Sequence, residues 1–119
     1  MRSPVVFIAA FLFLLANVGR ATGAESILLA QTGAFLLGNA HRCGVPAERV
    51  ERAGRIIRDM VTAAARDPGE AKEAGARFAE IYVASAYPRP DRNMLIPPCR
   101  VVVGQFERLE QHHQQAGLD

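Results

Sequence analysis

Lysine is nearly missing from this chain of 119 residues: Lys72 stands alone beside thirteen arginines. With many alanines, that bias suggests a GC-rich bacterial genome. Cysteine is as scarce, and Cys43 and Cys99 lie too far apart for a C-x-x-C redox motif or a haem-attachment motif. There is no glycine-rich phosphate loop, no H-E-x-x-H pattern and no EF-hand loop, so the common signatures of nucleotide, zinc-hydrolase and calcium chemistry are lacking. Ser26 and Ser85 have no histidine beside them in sequence, and the acidic residues mostly stand beside arginines. No catalytic residue is assigned, no enzyme is expected, and no cofactor is expected.

What the chain does have begins at its N-terminus. Arg2 precedes an apolar run from Val5 to Val18, broken only by Asn17, and the small residues Ala21, Gly23 and Ala24 follow. This is the order of a secretory signal peptide, and the run is short of the about 20 apolar residues a membrane span needs. A retained anchor is the alternative. No cysteine follows the run closely and no twin-arginine pair precedes it, so neither a lipoprotein anchor nor the twin-arginine route is indicated. The expectation is a leader over 1–24, cleaved, and a single helical domain over 25–119. Its place is the periplasm or outside the cell, without stable membrane insertion.

Removing Arg2 and Arg20 with the leader leaves twelve basic and twelve acidic residues, from fourteen and twelve. A neutral domain lacks the concentrated positive face that nucleic-acid binding requires, so no nucleic-acid partner is expected. About 95 residues remain, near the low end of what buries a core unaided. In an oxidising compartment Cys43 and Cys99 then read as one disulfide.

Four segments repeat apolar residues at helical spacing. The first, about Ser26 to Cys43, places Leu29, Gly33, Leu36, Ala40 and Cys43 on one seam and Gln31, Thr32, Asn39 and Arg42 opposite, with Gly44 as a stop. The second begins at Pro46 and carries Val50, Ala53, Ile57, Met60 and Ala64. The third starts at Asp67-Pro68-Gly69-Glu70, with Asp67 as cap and Glu70 reaching back as in a capping box, and carries Ala71, Ala74, Phe78, Ile81 and Ser85. The fourth starts at Pro98 and carries Cys99, Val102, Phe106, Leu109 and His113. Matched lengths and short connections predict an all-α, up-down-up-down four-helix bundle. In that topology the end of the first helix and the start of the fourth coincide, which brings Cys43 to Cys99.

The stretch YPRPDRNMLIPPC, residues 87–99, crowds four prolines into the crossover before the last helix. Its prolines stiffen the backbone and lower the entropy lost on docking. Two uses compete for it. Met94, Leu95 and Ile96 fold back as a lid over the bundle end, or Tyr87, Arg89, Arg92, Met94, Leu95 and Ile96 form a partner-binding surface.

Elsewhere, His41 with Cys43 and Cys99 would suit a soft metal only if the thiols stayed reduced, so the disulfide is preferred. Glu110, His112 and His113 are a weak metal alternative without a fixed third ligand, and His113 on the seam is a candidate pH sensor. Arg49, Arg52, Arg55 and Arg58 recur every three residues. Glu48–Arg52 and Glu51–Arg55 are spaced for pairing, so a solvated, internally paired face is preferred over an anion-binding groove. The chain is thus expected to be an exported, non-enzymatic module working by contact with another exported protein, chaperone-like, with a homodimer left open. A small-ligand or metal carrier using the bundle interior or the C-terminal histidines is the alternative.

Overall fold

Gly44 has the positive φ, +92°, that lets a chain leave a helix sharply, and the Val45 amide bonds the Ala40 carbonyl across it at 3.0 Å. That stop closes the first of four helices: α1 (Gly23–Arg42), α2 (Ala47–Ala64), α3 (Pro68–Ala86) and α4 (Cys99–Leu118). The computed structural model describes residues 23–90 and 95–118, among which there is no strand. The leader expected over 1–24 lies outside the described residues as far as Thr22, as do Arg92 and Met94. Pro46 sits just before α2 as its N-cap, one position earlier than expected. Asp67 caps α3 by accepting a hydrogen bond from the Glu70 amide at 2.8 Å, and Pro68 occupies the first helical position.

The helices form a bundle around one core, with Leu29, Leu36 and Leu37 of α1, Ile57 of α2, and Val102, Phe106 and Leu109 of α4 all buried. α1 is the hub. It packs most extensively on α3, then on α2, then on α4, whereas α2 and α3 touch little. This departs from an expectation that neighbours in sequence are the closest neighbours in space. Small residues of α1 explain it. A Cβ built at Gly38 would lie 2.6 Å from the Ser85 Cβ and 2.7 Å from the Tyr82 carbonyl oxygen, so α3 seats directly against glycine backbone. At Gly33, a Cβ would meet the Ile57 side chain of α2 at 2.8 Å.

Opposite the seam of α1, Gln31, Thr32 and Arg42 are half-buried and keep part of their surface in solvent. Asn39, expected opposite the seam, is 3% exposed; its side-chain amide donates to the Phe35 carbonyl at 2.9 Å, and its Oδ1 accepts from Arg42 Nε at 2.9 Å. Ser26 is fully buried, and its hydroxyl donates to Glu70 at 3.1 Å. The seam of α2 is buried except for half-buried Met60, and that of α3 is half-buried at Ala71, Phe78 and Ile81. On α4 the seam holds at Val102, Phe106 and Leu109 but not at its ends: Cys99 and His113 are exposed. Among the described residues no helix is long and apolar enough to cross a membrane.

Candidate functional site

Cys43 and Cys99 form a disulfide with a Cα–Cα distance of 5.4 Å, joining the end of α1 to the start of α4. Arg42, beside it, extends the junction. Its Nη2 donates to the Pro97 carbonyl at 2.8 Å and its Nη1 lies 3.6 Å from the Cys99 sulfur, while Nε holds Asn39. The end of the proline-rich segment is therefore anchored covalently and by a guanidinium. Its other end leaves α3 at Tyr87, whose amide bonds the Val83 carbonyl at 3.0 Å. The Tyr87 hydroxyl shares a hydrogen bond with His41 Nε2 at 3.2 Å, and the two rings meet edge to face at 5.5 Å.

Among the described residues of this segment, the large apolar side chains of Tyr87, Leu95 and Ile96 are exposed. Tyr87 is 62% exposed, Leu95 79% and Ile96 50%, so Leu95 and Ile96 do not fold back as a lid. The physical reason is that the core beneath is already filled, by Val102 and the buried residues of α1, and the Arg42 bond to Pro97 keeps the chain at the surface. Arg89 is exposed in the same segment. Tyr82, just behind Tyr87, is half-buried; burial pushes its hydroxyl above the ordinary tyrosine range, with Tyr87 and Glu51 adding to the effect.

A second feature lies between α2 and α4, where an open groove of about 880 Å³ runs along Arg49, Ile56 and Met60 on one side and Leu109 and His113 on the other. Arg49 reaches across it to grip Glu110 with both forks, at 3.1 and 2.6 Å, and lies 5.4 Å above the Phe106 ring. That hydrogen-bonded carboxylate raises Arg49 above its ordinary value, despite opposing desolvation, and Glu107 and Glu48 add to it.

The arginine face of α2 is thus not internally paired as expected. Among the described residues, the ion pairs are Arg49–Glu110, Arg66–Glu70 and Arg77–Glu73, and neither Glu48–Arg52 nor Glu51–Arg55 is within ion-pair distance. Glu110 turns to Arg49 rather than to His113, His112 and His113 stand exposed, and no three metal-binding side chains come together among the described residues. His113 is off the seam because α4 runs past the core there. The Arg49–Glu110 grip and the His41–Tyr87 contact were not visible in sequence, since their partners are 61 and 46 residues apart. Comparison with protein-family models, curated proteins and solved structures finds no match to this chain.

Proposed function

We propose that this protein is an exported, non-enzymatic helical module that acts by contact with another exported protein, through its disulfide-linked end. One observation carries the reading. Tyr87, Leu95 and Ile96 are mostly exposed on a segment that prolines, Arg42 and the disulfide hold in place. Apolar side chains on an anchored segment lose little entropy when a partner covers them, which favours their use in binding. Arg89 belongs to the same exposed segment, and Arg92 and Met94 stand in the same proline-rich stretch of sequence. The disulfide is consistent with an oxidising compartment, and the leader read over 1–24 supplies the route there. The joining of the end of α1 to the start of α4 supports an alternating up-down course of the helices.

The test is crosslinking of the exported protein carrying Leu95→Ser and Ile96→Ser. Captured partner is expected to fall sharply while helical content and unfolding midpoint stay within about 0.5 kcal/mol of the parent, as for exposed positions. Undiminished capture would remove this surface from the account, and a large loss of stability would show that the segment is core after all.

A further inference from the structure

The groove between α2 and α4 has a composition unlike that of the linked end. Its apolar lining is aliphatic, from Ala53, Ile56, Met60 and Leu109, with the side chains of His112 and His113 on its α4 side. Arg49 and Glu110 satisfy each other at its wall. Of the remaining charged lining residues, Arg52 and Arg55 face only Asp59, and neither has an ion-pair partner among the described residues. The two arginines are three apart and so are neighbours on the helix surface. The result is an aliphatic trough with surplus positive charge beside it.

From this we infer that the groove binds a small amphiphilic anion, a free fatty acid of medium chain length. Its carboxylate meets Arg52 and Arg55, and its tail lies along Ile56, Met60 and Leu109. The chemistry of the lining selects this class. A metal cation would meet repulsion from the arginines, and Glu110 is already engaged. The groove measures about 880 Å³, within the range of small-ligand clefts, and an extended acyl chain fits along it. The ligand is thereby placed on the surface of the bundle, since the interior is filled by Phe106, Leu36, Leu37 and Ile57.

Calorimetric titration of the purified, disulfide-linked protein with dodecanoate, kept below its micelle concentration, tests the inference. The comparator is dodecyltrimethylammonium, which has the same tail and the opposite charge. Saturable binding of one dodecanoate per chain is expected, with the cationic surfactant at least about tenfold weaker. Arg52→Glu with Arg55→Glu should weaken dodecanoate by about tenfold or more, as loss of charge-assisted hydrogen bonds implies. Arg52→Lys with Arg55→Lys should retain most of the affinity. Both arginines are exposed, so circular dichroism is expected to find the double variants folded. Leu95→Ser with Ile96→Ser should leave dodecanoate binding unchanged, which separates this site from the proposed contact surface. Equal affinity for the two surfactants, unsaturable uptake, or dodecanoate binding that survives the glutamate pair would overturn the inference. Uptake by an unprocessed leader would give that last result.

Discussion

At its C-terminal end α1 is tied to α4 by a covalent bond, Cys43–Cys99, whereas near its N-terminus it is tied to α3 by the Ser26 hydroxyl on Glu70. The first tie is indifferent to protonation and lost on reduction. The second is indifferent to redox state and depends on an ionised carboxylate. Around each, arginine does different work. Arg42 spreads its donors over Asn39, Pro97 and the Cys99 sulfur, joining side chain, loop and disulfide. Arg66 concentrates on Glu70, with its backbone amide at 2.9 Å and its Nε at 3.2 Å on the same oxygen. A small domain with one hub helix is therefore fixed at the hub's two ends by unlike chemistry, so each can be broken without touching the other.

The largest effect is expected at the covalent end. The disulfide closes a loop of 56 residues, and the chain-entropy account of such a loop gives about 4 kcal/mol, a large part of the net stability of so small a domain. Cys43→Ser with Cys99→Ser should lower the denaturant midpoint accordingly without changing the helices formed. A loss of under about 1 kcal/mol would mean that the unfolded chain is already constrained, or that Arg42 and His41 hold the end without the bond.

Between the two ends lies the close contact of α1 with α3. Gly38→Ala inserts a methyl 2.6 to 2.7 Å from Ser85 and the Tyr82 carbonyl, and overpacking against backbone costs about 1–3 kcal/mol. Gly75→Ala on the outer face of α3 meets nothing within 4 Å and should instead gain up to about 1 kcal/mol of helix propensity. Urea unfolding of the pair gives the contrast. If both alanines stabilise, α1 and α3 do not seat on glycine.

That contact also marks the limit of what periodicity can convey. The four helices and their ends at Gly44 and Asp67 follow from local signals that act within a few residues of where they stand in the chain, and the pairing of Cys43 with Cys99 follows from their being the chain's two cysteines. Which helix becomes the hub does not. It depends on Gly33 and Gly38 facing particular partners, and glycine contributes little to a hydrophobic seam. Spacing puts Asn39 opposite the apolar seam, yet packing of other helices on α1 buries it, and the Phe35 carbonyl compensates its side-chain amide. On α2, the pairing rule for side chains four residues apart favours Glu48–Arg52, but it takes no account of α4, whose Glu110 draws Arg49 across the groove. In the proline-rich segment the residue types were informative and their orientation was not, because hydrophobic character alone does not decide whether Leu95 and Ile96 find room in a core.

The polar end gives the smallest effect and the one with a pH signature. The Arg66 amide, followed by the Arg66 side chain and the Ser26 hydroxyl, holds the Glu70 carboxyl below its ordinary value of 4.5, against the opposing effect of desolvation. A carboxylate with a lowered value in the folded state stabilises fully above 4.5 and loses that contribution as pH falls through the lowered value. Thermal unfolding of the parent and of Glu70→Gln should therefore differ most at neutral pH, and the difference should narrow below about pH 4.5 as the parent's carboxyl protonates. The disulfide variant should show no such narrowing, since neither cysteine titrates while bonded. A constant gap between parent and Glu70→Gln down to low pH would show that Glu70 acts through shape and its neutral hydrogen bonds. The distinction between a redox-fixed end and a proton-fixed end of α1 would then fail on the proton side.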